Sequence, residues 1–112
     1  MSLFNTLTTG SSGLGAASTN LSVIGDNIAN LGTTGYKGST AQFADNFPNM
    51  IAGLGGLSQI GTGTRVSDVA IDFGQGNLVA STSSIDVAIL GSGFFQVSDG
   101  DDAFYTRDGS FH

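Results

Sequence analysis

A chain of 112 residues has room for one small domain with a modest core. Glycine fills 18 positions, roughly twice the usual share of about 7%, yet proline occurs only at Pro48 and hydrophobic residues reach 39%, which excludes a collagen-like repeat and a plain disordered tail. Nine Asp against Lys37, Arg65 and Arg107 leave a net charge of −6, which argues against nucleic acid as a partner, and the lack of Cys removes disulfides and thiolate metal sites.

The opening Met1-Ser2-Leu3-Phe4-Asn5 has neither the basic region nor the continuous apolar core of a cleaved secretory signal. No run approaches the ~18 apolar residues of a membrane span. These features point to a cytosolic chain without membrane insertion, unless export follows a route that does not cleave the N-terminus.

The first predicted element is a helix over residues 3–31. Leu3, Leu7, Gly10, Leu14, Ala17, Leu21, Ile24, Ile28 and Leu31 alternate steps of four and three, an a/d seam of the coiled-coil type. Ser, Thr, Asn and Gly lie between them instead of the usual Glu and Lys. Gly10, Gly13, Gly15 and Gly25 each cost about 0.8–1 kcal/mol relative to Ala, so the helix needs a partner for its seam. Gly32 follows the last seam residue and is expected to end the helix in the left-handed conformation.

Residues 38–64 turn to Gly, Ser, Thr and Asn but keep Phe43, Phe47, Met50, Ile51, Leu54, Leu57 and Ile60, too many large apolar side chains for a solvated linker. Pro48 and the glycines at 53, 55 and 56 forbid one continuous helix. The stretch is predicted to be an extended or partly helical arm that packs against something else.

From Arg65 the period becomes two. Val69, Ile71 and Phe73 alternate with Ala70 and Asp72, and Ile85, Val87 and Ile89 alternate with Asp86 and Ala88, predicting strands. Asp99-Gly100-Asp101-Asp102 separates 94–98 from 103–107 as a hairpin loop does. The expected fold class is α+β: a long coiled-coil-type helix (1–32), an extended arm (33–64), and the start of a small antiparallel β region (65–112) that ends without a closing strand and so reads as part of a longer chain.

Catalytic chemistry finds little purchase. The single His112 stands at the end of the chain, and without Cys the nucleophiles are limited to Ser and Thr. Asp99, Asp101 and Asp102 fall in a turn, where Asp is favoured for bonding nearby amides. A calcium loop would need an acid at its twelfth position, which counted from Asp99 is Ser110. A secreted calcium-binding module is therefore the weaker alternative, and no catalytic, metal or cofactor site is expected.

The stretch Ser12 to Asn30, containing Asn20, Asn27, Ile28, Ala29 and Asn30, followed by Thr33, Thr34, Gly35, Tyr36 and Lys37, resembles the N-terminal signature of bacterial flagellar rod and hook proteins. Gly76-Asn77-Leu78, Asp86 to Ile89, Gly91 to Val97 and Tyr105 to Phe111 resemble that family's next segment. Met1-Ser2-Leu3-Phe4 and Ala41 to Asp45 are hook-like, whereas Gln59 to Gly63 and the Gly91 to Phe111 block are equally rod-like.

The resemblance implies a self-assembling structural subunit whose N-terminal helix pairs with a C-terminal helix of the same full-length chain to line a hollow tube. It implies packing between subunits through Leu3, Leu7, Leu14, Ala17, Leu21, Ile24, Ile28 and Leu31, and arm contacts through Phe43, Phe47, Met50, Ile51 and Leu54. The implied partners are further copies of the chain and the adjacent rod and hook–filament junction proteins. Export as an unfolded chain through the flagellar type III apparatus, to an extracellular hook or a periplasmic rod, is also implied.

Overall fold

The computed structural model describes residues 3–53 and 56–112. Met1, Ser2 and the expected arm contact Leu54 lie outside them. The class is α+β: one long helix, then six strands forming three two-stranded sheets among the described residues.

Helix α1 runs Leu3–Ala29. Its hydroxyl side chains bond back onto the helix, Thr8 to the Phe4 carbonyl (2.9 Å), Ser12 to Thr9 (2.7 Å) and Thr19 to Gly15 (3.2 Å), so groups that often compete with helix structure are satisfied within it. The helix stops two residues short of the expected end, which leaves Leu31 outside it. The reason is a series of tight turns: the amides of Leu31, Thr33 and Tyr36 donate to the carbonyls of Ile28, Asn30 and Thr33, and the Thr33 hydroxyl bonds Asn30 Oδ1 at 3.0 Å. These three-residue steps continue the chain out of the helix, and Gly32 is not left-handed as expected. Gly35 is, with φ 73°, and a Cβ there would lie 2.6 Å from the Arg107 carbonyl carbon.

The chain divides into two compact units, one of Met1–Asp26 with Ser39–Ala70, the other of Asn27–Gly38 with Ile71–His112. In the first, β1 (Ser39–Asp45) pairs with β4 (Thr64–Ile71). Strands β2 (Asn49–Gly53) and β3 (Gly56–Ile60) form an antiparallel hairpin with Asn49 opposite Ile60 and Gly53 opposite Gly56. The described residues of 38–64 thus contain strands and no helix, with Pro48 between β1 and β2, where its missing N–H breaks no ladder.

This unit is built on small residues. The buried apolar side chains among the described residues are Ala16 of α1 and Ala41 of β1. On β4 the half-buried positions are Thr64, Val66 and Ala70, while Val69 and Ile71 are exposed. Helix and sheet chain meet at Ser12, whose Oγ accepts the Thr64 amide at 3.3 Å, beside Gly63 at φ 103°.

The second unit holds the turns after α1 and an antiparallel hairpin of β5 (Phe95–Asp99) and β6 (Asp102–Thr106). Phe73 meets Phe94 edge-on at 6.0 Å, and Phe95 meets Phe111 at 5.4 Å, geometries that suit the ring quadrupoles. The alternating run 85–89 is not a strand. Its amide at Val87 donates to the Gly109 carbonyl at 3.0 Å, and that isolated bond does not continue into a ladder; alternation makes an extended segment only a candidate strand until a neighbour runs alongside it.

Arg107 organises this unit. Its guanidinium donates to the carbonyls of Ile89 (3.2 Å), Gly91 (2.5 Å) and Gly93 and to Gln75 Oε1 (3.0 Å), and the same Gln75 oxygen accepts the Gly91 amide at 3.0 Å. Bonds from a charged donor are worth about 1.5–3 kcal/mol each when shielded and less at a half-exposed site such as this. Arg107→Ala is expected to raise hydrogen exchange at the Gly91 amide about tenfold, equivalent to ~1.4 kcal/mol. An unchanged Gly91 rate would show that the clasp contributes nothing.

Candidate assembly surface

Helix α1 carries two stripes. Thr9, Ser12, Gly13, Ala16, Thr19, Asn20, Val23 and Asn27 are buried or half-buried, returning every three or four residues with Ser12–Gly13 and Thr19–Asn20 as adjacent pairs, and all but Val23 are small or polar. That stripe rests on the chain itself. Small side chains let a second backbone come close, and Gly63 shows how close: a Cβ there would fall 2.0 Å from Ser12 Oγ and 3.3 Å from the Thr9 carbonyl oxygen.

The apolar seam lies on another side and stays open. Leu3 is 76% exposed, Leu14 75%, Leu21 70% and Leu31 82%; Leu7, Ala17 and Ile28 are exposed too, and Ile24, at 43%, is the most covered of the Leu and Ile side chains. Fully burying a Leu or Ile side chain yields about 1.5–3 kcal/mol. Scaled by their exposure, the seven Leu and Ile residues of the seam represent roughly 7–14 kcal/mol of gross stabilisation that the fold leaves unused, before the costs of association.

The arm carries exposed apolar side chains of its own. Phe43 and Met50 are exposed, as is Ile51, and Phe47 at 88% is the most exposed aromatic ring among the described residues. Met50 and Ile51 are consecutive on β2, so they point to opposite faces of the hairpin. Neither face is covered there.

The signature residues after the seam shape the turn. Asn27 Oδ1 accepts the Tyr36 hydroxyl at 3.4 Å and lies 3.5 Å from where a Gly38 Cβ would stand. Asn30 holds Thr33 as described, Thr34 and Gly35 form the bend, and Lys37 Nζ donates to the Gly74 carbonyl at 2.7 Å. Asn20 sits half-buried on the inner stripe, and Ile28 and Ala29 are exposed.

One hollow of the second unit, about 860 Å³, is open, and its lining holds Asp86 as the sole carboxylate and no His. Asp86 accepts the Ser81 hydroxyl, with no imidazole to relay a proton. Asp99 and Asp102 oppose each other as the closing pair of the β5–β6 turn, and no group of three or more His, Cys, Asp or Glu among the described residues is placed to hold a metal ion.

The seam is plain in the sequence as an apolar repeat, whereas the inner stripe and the roles of Ser12, Gly63 and Arg107 are not. The stripe's signal was present as small residues at helical spacing, yet apolar periodicity looks for large ones.

Two family models match the chain. One, described as flagella basal body rod protein, covers residues 7–37, and the other, described as flagellar hook protein FlgE/F/G D1 domain, covers residues 88–112. The chain is similar to the flagellar hook protein FlgE of Escherichia coli, 46% identical over 101 residues, which cover 89% of this chain and 23% of that protein. It is similar to the flagellar basal-body rod protein FlgG of Buchnera aphidicola, 44% identical over 111 residues, or 88% of this chain and 42% of the relative. The FlgE hook protein of Treponema pallidum is 32% identical over 118 residues, covering 97% of this chain and 26% of the relative. The chain thus spans less than a quarter of the length of the Escherichia coli hook relative.

Proposed function

Because the chain belongs to the bacterial flagellar rod and hook axial protein family, we propose that it forms the N-terminal part of a hook subunit, one that polymerises into a hollow tube and carries torque from rod to filament. The observation that carries this reading is the seam from Leu3 to Leu31, apolar along its length and open in the isolated chain. In the assembly α1 lies in the inner layer against a C-terminal helix of the full-length chain. The arm of residues 33–64 wedges between neighbouring copies, and residues 65–112 begin an antiparallel β domain. The subunit reaches its place by type III export without signal cleavage, meets the rod and the hook–filament junction proteins, and performs no catalysis.

A distal-rod subunit is the second reading, favoured by rod relatives at 43–44% identity over 88% of the chain. Electron microscopy of cells carrying an epitope-tagged full-length chain separates the two. The label is expected on the hook outside the cell; label confined to the rod would transfer the assignment.

The arm makes its own prediction. Amides of residues 40–51 should exchange more slowly in the polymer than in the monomer, because Phe43, Phe47, Met50 and Ile51 gain cover only on assembly. Equal exchange in both states would remove the arm from the interface.

A further inference from the structure

Two Asp-Gly pairs occur in the chain, Asp99-Gly100 and Asp108-Gly109. By sequence they are alike: a glycine nitrogen, unhindered by any Cβ, follows an aspartate whose carboxyl carbon it can attack. The fold makes them different.

Gly100 has φ 70° and no non-glycine residue is left-handed among those described, so Asp99 to Asp102 form a type II′ turn with Gly at its first central position. In such a turn the ladder bonds belong to the flanking pair, here Asp99 and Asp102, and the Gly100 amide is directed away from the ladder. A Cβ on Gly100 would meet nothing within 4 Å, and Asp99, Asp101 and Asp102 are exposed. The Asp99 carboxyl therefore lies in solvent, with open space beside Gly100.

Asp108 is held instead. Its Oδ1 accepts the Ser110 amide at 2.9 Å. That bond first, then the Ser110 hydroxyl and the charge of His112, hold its carboxyl below the usual carboxylate range. Gly109 is buried, its carbonyl accepts the amides of Val87 and Phe111, and a Cβ there would fall 1.7 Å from the Val87 oxygen. Closing a ring at this pair requires the carboxylate to take up a proton, leave Ser110 and turn within a packed backbone.

We propose that Asp99 is a site of spontaneous isoaspartate formation and that the fold protects Asp108 from the same reaction. The Gly100 nitrogen bonds to Asp99 Cγ; the acid hydroxyl and the amide proton leave together as water, closing a five-membered succinimide. Water then adds to either ring carbonyl. Opening at the Asp99 Cγ restores aspartate, and opening at the main-chain carbonyl carbon yields isoaspartate, with the backbone routed through the former side chain. No atoms are gained or lost overall, and no oxidant or cofactor takes part. The main chain lengthens by one methylene at the turn, so the closing pair of β5 and β6 loses its register.

The test incubates the purified chain at neutral pH in heavy-oxygen water, which labels each site that passes through the ring, and follows peptides containing the two pairs by mass spectrometry with isoaspartyl methylation. Label and isoaspartate should accumulate several-fold faster at Asp99 than at Asp108, and D99E, whose ring would need six members, should abolish the signal at residue 99. In denaturant the two rates should converge. Equal rates in the folded chain, faster reaction at Asp108, or an unchanged ratio in denaturant would overturn the proposal.

Discussion

Leu21→Asp in the full-length chain is expected to abolish polymerisation while leaving the subunit folded. Leu21 is 70% exposed and sits mid-seam, away from the half-buried stripe of α1, so the carboxylate meets water in the monomer and costs its fold little. In the assembly the same group enters an apolar contact without a partner. An uncompensated buried charge costs about 3–5 kcal/mol, and at ~1.4 kcal/mol per decade the critical concentration should rise more than about a hundredfold. Ile24→Asp should act in the same direction, though Ile24 is already partly covered. Sedimentation of polymer gives the readout, with circular dichroism of the soluble variant as the control. Normal tubes from both variants would sink the seam as the packing surface.

Gly63→Val should do the opposite and unfold the first unit from within. Two penalties coincide: φ 103° lies where only glycine is at ease, and the new Cβ would stand 2.0 Å from Ser12 Oγ. Backbone strain of about 1–3 kcal/mol and overpacking of about 1–3 kcal/mol together exceed what an interior built on Ala16 and Ala41 can absorb. Far-UV circular dichroism during denaturant titration should show a transition displaced to lower concentration or lost. Ser12→Ala in the same chain should restore part of the loss by removing the Oγ, but not the share due to φ. Wild-type stability for G63V would mean that the helix and the 63–64 turn are not in the contact described.

The two variants probe opposite sides of α1, and the sequence exposes those sides unequally. Large apolar residues at heptad spacing mark the seam because a/d positions lead the eye to Leu and Ile. The inner stripe has the same spacing in Thr, Ser, Gly, Ala and Asn, where hydropathy is silent. Ser12 and Gly63 lie 51 positions apart, and their match becomes visible only when β1 and β4 bring the chain back to the helix. The strands divide in the same way. The 94–98 and 103–107 pair was legible because its turn residues sit between the two runs, whereas 85–89 alternates just as well but has no neighbour to complete a ladder.

The sequence by itself determined the α+β class, the long helix, the apolar repeat along it, the β5–β6 hairpin and, through its two signature blocks, the family. These depend on periodicity and turn chemistry, which are local properties of the chain. The tertiary structure alone decided which face of α1 the chain uses for itself, that Gly35 rather than Gly32 takes the left-handed bend, that Arg107 gathers the carbonyls of residues 89–93, and that two identical Asp-Gly pairs meet different surroundings. Each of those rests on a close approach between segments distant in sequence, and steric exclusion and hydrogen bonding act over a few ångströms of space, whatever the separation along the chain.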